Sequence, residues 1–315
     1  MKKKIFLVLS AVTVLTMGVV MVACSKESNA LNPNEEVVVE EVVPMPTLQK
    51  TNSAEEWAAF NLEIEKLNAK YLAPEVVGKA MRVGRDSGNL SKDEYHEIWE
   101  VDAEGAKYGS AVGSAIGGII GVYAGVGTPI GPGGGGVVGG GIGFLLGGSI
   151  IGAAASISKW WELTSCGLMV ALNPLPSIDD LESDSLVSAI GRQHNMIIED
   201  FINSPMDLSG VSDSMLLLDL SLRYERLFGI IPDTVKSIII NTRLDSVSDF
   251  SVEVKDATLA YREAVVDMND NQKHDYTERY LEIADSTLSD SEEKVQISTY
   301  AGVAYYSSAM WELEE

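Results

Sequence analysis

Side chains suited to chemistry are few and scattered in this chain. Its three histidines, His96, His194 and His274, lie far apart, and none has a second ligand at fixed helical spacing beyond nearby acids, so they do not make a metal site. Asp267, Asn269, Asn271 and Glu278 fall on the first, third, fifth and twelfth positions of a calcium-binding loop. The sixth position needs Gly for a sharp turn and holds Gln272, and Lys273 adds charge of the wrong sign. That run reads instead as a polar connection between helices. The acid pairs Asp179-Asp180 and Glu292-Glu293 read as solvated helix starts, favourable near the positive end of a helix. The tetraglycine after Pro132 is not followed by Gly-Lys-Ser or Gly-Lys-Thr, which excludes a phosphate loop of that type. A dinucleotide site would need a preceding strand and an acid about 20 positions on, and neither is legible. His194 shares an apolar face with Ile190 and Ile197, so it reads as a structural histidine hydrogen-bonded across helices. No acid–base pair or nucleophile arrangement emerges. The expectation is a protein that is not an enzyme and holds no cofactor or metal.

One cysteine carries a different chemistry. Met1-Lys2-Lys3-Lys4 opens the chain, an apolar run from Ile5 to Ala23 follows, and Met21-Val22-Ala23-Cys24 leads into the polar Ser25-Lys26-Glu27. A basic start before an apolar stretch is an export signal. The small residue before Cys24 and the polar tail after it resemble the lipobox of bacterial lipoproteins, and the polar start of the following segment resembles lipoproteins of the Bacteroides group. The resemblance implies cleavage of residues 1–23, lipidation of Cys24 and, with Ser25 rather than Asp next in line, sorting to the outer membrane. Membrane lipid, through Cys24, is then the expected partner. Cys166 remains as a lone thiol next to the apolar region and reads as a small buried hydrophobe.

Charge narrows the remaining partners. Losing Lys2, Lys3 and Lys4 takes the formal charge from −23 to −26. A chain that acidic is a poor ligand for nucleic acid or for anionic headgroups, so any direct membrane contact should be apolar.

Between Lys107 and Lys159 lie 51 residues without a charge. Within them Gly109, Gly113, Gly117, Gly121 and Gly125 continue the phase of Gly105 at a period of four, one nearly smooth stripe on a helix. Gly139, Gly143 and Gly147 repeat the spacing in a second arm from Val137 to Ser158, and Gly140, Gly148, Gly152 and Ser156 offer a second small face. Residues 126–136 read as a turn or flexible loop, which makes the two arms an antiparallel helical hairpin. Trp160 and Trp161 close it between Lys159 and Glu162, where an interface would lie. Glycine costs a water-exposed helix about 1 kcal/mol against alanine. The 20 glycines between residues 105 and 152 therefore need a setting in which close backbone packing repays them. The pattern resembles the glycine-zipper regions of small bacterial envelope proteins and of membrane-permeabilising bacteriocins, over residues 105–158.

The elements around this hairpin read as helices, so the predicted fold is all-α. Residues 24–52 form a lipidated flexible tether, stiffened by Pro44 and Pro46. Residues 53–103 hold N-terminal helices. One opens with a capping box at Ser53 and Glu56 and carries Trp57, Phe60, Ile64, Leu67 and Tyr71 on one face. A second opens with a box at Ser91 and Glu94. Residues 104–161 are the hairpin and 162–315 an acidic, multi-helix C-terminal bundle. In that bundle Ile190, His194, Ile197, Ile198 and Phe201 make one face, and Met215, Leu218, Leu222 and Leu227 another. Pro232 reads as a first-turn proline, and Ser289 with Glu292 as the cap of a last helix bearing Val295, Ile297, Tyr300, Val303, Ala304 and Trp311.

Three functional expectations follow. The first is a lipid-anchored envelope protein whose hairpin mediates membrane insertion or self-association, as a homo-oligomer or with an envelope partner. The second keeps the hairpin buried in the core of a soluble helical binding or structural lipoprotein. The third is a permeabilising, bacteriocin-like toxin.

Overall fold

The computed structural model describes residues 51–71, 92–125, 131–165, 179–244 and 250–311, with the side chains of 92–96 and 114–141 left aside. These residues fold into nine helices and no strand: α1 (Ala54–Tyr71), α2 (Lys92–Gly125), α3 (Gly131–Ser165), α4 (Ser185–Asn203), α5 (Asp213–Phe228), α6 (Asp233–Ile240), α7 (Val252–Val265), α8 (Asp270–Thr287) and α9 (Glu292–Met310). The tether around Cys24, the cap at Ser91 and Cys166 lie outside the described residues.

Local chemistry starts most of these helices. Ser53 and Glu56 form the expected reciprocal box, with Glu56 Oε2 accepting from the Ser53 amide at 2.7 Å and Ser53 Oγ accepting from the Glu56 amide at 3.2 Å. Asp184, Ser212 and Ser251 cap α4, α5 and α7. Asn269 and Gln272 form a box that opens α8, so Asn271 and Glu278 sit on helix rather than in a calcium loop. At α9 the cap is Ser291, not Ser289. The Ser289 hydroxyl instead donates to Glu56, and with the Ser53 contacts it holds the Glu56 carboxyl down at about 2. Pro232 falls one position earlier than expected, as the N-cap of α6, and Ile238 to Ile240 complete that helix.

All five apolar residues predicted on α1 are buried, and aromatic edges fix them against α8: Phe60 meets Tyr280 and Tyr71 meets Tyr276 in T-shaped contacts at 5.5 and 5.6 Å. The face expected on α5 is rotated. Leu216, Leu217, Leu220 and Tyr224 are buried, while Met215, Leu218 and Leu222 are 40–55% exposed. On the same inward side the buried Arg223 pairs with Asp200 of α4 and with Asp219 on α5 itself. α9 is buried on nearly all sides and packs against α2, α4, α7 and α8. A continuous apolar core draws from every helix.

α2 and α3 run antiparallel and touch through backbone. A methyl on Gly109 would collide with the Gly147 carbonyl, and one on Gly147 with the Gly109 carbonyl. Gly113 stands in the same relation to Gly143, and a methyl on Gly105 would lie 2.5 Å from Ala155 Cβ. Gly117, Gly121, Gly125 and Gly139 lie on the same two helices, with surroundings outside the described residues. The tetraglycine, expected as loop, is helical: α3 begins at Gly131. Pro132 is acceptable in the first turn, and propagating a helix from a packed nucleus is far easier than starting one.

Gly109→Ala should destabilise the fold by about 3 kcal/mol, since two helix backbones must separate to admit the methyl. Gly148→Ala should cost less, about 1–2 kcal/mol, because its methyl would lie 2.9 Å from a side-chain methyl, Ile190 Cγ2, rather than against backbone. Urea denaturation of the two variants checks the contrast.

Candidate functional site

The second small face of α3 is where polar chemistry collects. Gly152 is open enough for His194 Cδ2 to approach to 3.0 Å from where its Cβ would be, and Ser156 one turn on meets the same ring. Ser156 Oγ lies 3.0 Å from His194 Nε2, and His194 Nδ1 lies 2.9 Å from Asn195 Oδ1. The Asn195 amide is oriented by its NH2, which donates to the Tyr306 carbonyl at 2.8 Å. Its Oδ1 therefore faces Nδ1, which makes Nδ1 the protonated nitrogen. Asp102, on α2, brings Oδ2 to 4.0 Å from His194 Nε2 and accepts from the Ser307 hydroxyl and, at 2.8 Å, from Trp311 Nε1. Asp102 Oδ1 is buried with no hydrogen-bond partner among the described residues.

Asp102, His194, Ser156 and Ser307 are all fully buried. Burial pushes the Asp102 carboxyl up, against the opposing pull of His194, and pushes the His194 imidazole down, against the pull of Asp102. The residue types are those of a nucleophilic triad, but the geometry is not. In a triad the carboxylate and the hydroxyl take opposite ring nitrogens. Here both approach Nε2, Nδ1 is taken by an amide, and no solvent reaches the hydroxyl. The cluster ties α2, α3, α4 and α9 together. His194 was legible as a structural histidine. Asp102 was not, since it stands among Glu97, Glu100 and Glu104 and looks solvated in sequence.

A cleft of about 730 Å³ opens between α2, α3, α7 and α9. Tyr108, Phe250, Leu259 and Tyr300 supply apolar walls, and Lys107 lies at its base. The Lys107 ammonium is 2.7 Å from Glu104 and sits over the rings of Phe250 and Tyr300, at 4.5 and 5.4 Å. Its side chain is only 2% exposed, and burial lowers its proton affinity while Glu104 raises it. Arg262 pairs with Glu100, and Lys159 pairs with Glu97 at 2.6 Å. These charges neutralise one another, and the cleft offers no convergent acid–base pair.

Trp160 and Trp161, expected at a membrane interface, are only partly exposed. Trp160 packs edge-on against Phe201 of α4 at 6.4 Å and belongs to the core's margin. Glu293, expected to be solvated, is buried and accepts from Trp57 Nε1 at 3.2 Å and from the Asn52 amide at 2.7 Å. Among the described residues no group of His, Cys, Asp and Glu is arranged to hold a metal. One stretch there, Ile142–Ser165, is long and apolar enough to cross a membrane, and 72% of its most apolar window is buried against the rest of the chain. No protein-family model, no curated protein and no solved structure matches this chain.

His194→Leu should cost about 2–3 kcal/mol, because it leaves Asn195 Oδ1 buried without a donor and Asp102 without the ring beside it. Lys107→Met should cost less than about 1 kcal/mol, because Glu104 is 46% exposed and water can take the place of the ammonium. Guanidinium titration of both variants checks the difference.

Proposed function

We propose that this chain is a lipid-tethered, non-catalytic protein of the bacterial cell envelope whose glycine-zipper hairpin, α2 and α3, is buried in its own helical bundle. In this reading Cys24 carries the lipid and residues 24–52 form the tether. Gly105, Gly109, Gly113, Gly143 and Gly147 form the seam that makes the hairpin rigid. The acidic helices α4 to α8 are the water-facing body, suited to a structural role or to docking a basic partner. One observation carries the choice over membrane insertion. The apolar stretch Ile142–Ser165 already has its partners, since Gly148 faces Ile190 and Thr299, and Gly152 faces Ala106 and His194. A helix that is apolar all round needs burial, and α4, α5 and α9 supply it without lipid.

The chain from Ser25 onward, produced without the leader and Cys24, should be found in the soluble fraction and purify as a monomer without detergent. It should release no dye from liposomes. Retention of that chain in membranes at high salt would overturn the reading in favour of an inserted hairpin, and dye release lost on Gly109→Leu would favour a permeabilising one.

A further inference from the structure

We propose that Asp102 and His194 hold one mobile proton between them, and that this proton latches the bases of α2 and α3 to α4 and α9 and lets them loosen when it is lost above neutral pH. The inference needs the packed bundle of the preceding section but not its lipid.

The geometry assigns the proton. Nδ1 of His194 is committed to Asn195 Oδ1, so the only exchangeable ring position is Nε2, which faces Ser156 Oγ and Asp102 Oδ2. The Ser156 hydroxyl also reaches the Gly152 carbonyl at 3.1 Å. When that hydroxyl donates to Gly152, Nε2 carries the proton and Asp102 is a carboxylate. When it donates to Nε2, the proton sits on Asp102, whose Oδ1 has no other partner. Both arrangements contain one proton and no net charge. From α2 comes Asp102 and from α4 comes His194. α3 and α9 face the pair with Ser156 and Ser307, and Trp311 adds an indole, so among the described residues no further charge compensates a change.

The sign follows from counting protons. Taken singly, the raised Asp102 carboxyl gives stability that is full below the ordinary carboxylate range and falls as pH rises. The lowered His194 gives stability that is full above its ordinary value of 6.5 and falls as pH drops. Between 3.8 and 6.5 the two slopes oppose, because the unfolded chain also holds one proton, on histidine. On this proposal the folded pair holds its proton to higher pH than the unfolded histidine does, so above 6.5 the folding equilibrium constant falls by up to about tenfold per pH unit. Once the folded pair lets go, a lone carboxylate remains in the core, where an uncompensated charge is costly.

The test is equilibrium unfolding of the full chain in non-ionic detergent, from pH 4 to 9, so that lipidation of Cys24 does not affect the outcome. Each curve is read as a difference from the Asp102→Asn/His194→Gln double variant, which cancels the response of the many surface carboxylates. The unsubstituted chain should be level to about pH 6.5 and then lose up to about tenfold per unit. Asp102→Asn alone should reverse the slope, gaining stability as pH rises to about 6.5 and staying level above. Protection factors of the Ala103 and Ala153 amides, corrected for the intrinsic base-catalysed rise in exchange, should fall with the same slope. A difference curve level throughout, or one rising above pH 6.5, would overturn the proposal. Should the variants fail to fold, proton NMR of the unsubstituted chain decides. The Trp311 indole and the His194 ring should shift together in one step above pH 6.5, and a His194 titrating alone near 6.5 would equally overturn it.

Discussion

The fold depends on one contact, the backbone of Gly109 lying on the backbone of Gly147. Helices normally meet through side chains at 8–10 Å between axes. Two glycines in register allow a much shorter distance, where carbonyls and Cα hydrogens touch and dispersion acts over the whole seam. Once α2 and α3 are that close, the apolar run of α3 from Leu146 to Ile157 needs cover, and α4, α5 and α9 supply it.

That arrangement explains why polar groups are found so deep. A glycine face cannot fill space, so neighbours must reach toward it. Ile190 and Thr299 do so at Gly148, and the His194 ring does so at Gly152. The ring brings polar nitrogens with it, and a buried nitrogen must be bonded. Ser156, Asn195 and Asp102 meet that requirement, and Asp102 then draws in Ser307 and Trp311. The chain of demands runs from a missing Cβ to a hydrogen-bonded core that joins four helices.

Much of this was readable before any coordinates. Period-three-and-four spacing marked α1 from Trp57 to Tyr71, and the inward face of α4 from Ile190 to Phe201, because each has one clear apolar side. Misreadings occurred where two sides compete. On α5, leucine appears all around, so spacing alone does not say which side turns in. Glu293 and Asp102 look solvated because a carboxylate's partners, Trp57 and Asn52 for one, Ser307 and Trp311 for the other, lie more than 200 residues away. The tetraglycine looked like loop because propensity ignores the neighbouring helix that holds it. Periodicity reports which side faces inward, but it carries no information about what waits there.

α9 is enclosed on nearly every side, and its bonds to α2 bridge 205 residues of chain. Helices α1 to α3 therefore have no finished interior to collapse into while α9 is still being synthesised. Contacts of such range form late, after the loop between them has been closed at an entropic cost. The core is therefore completed only once α9 has joined it.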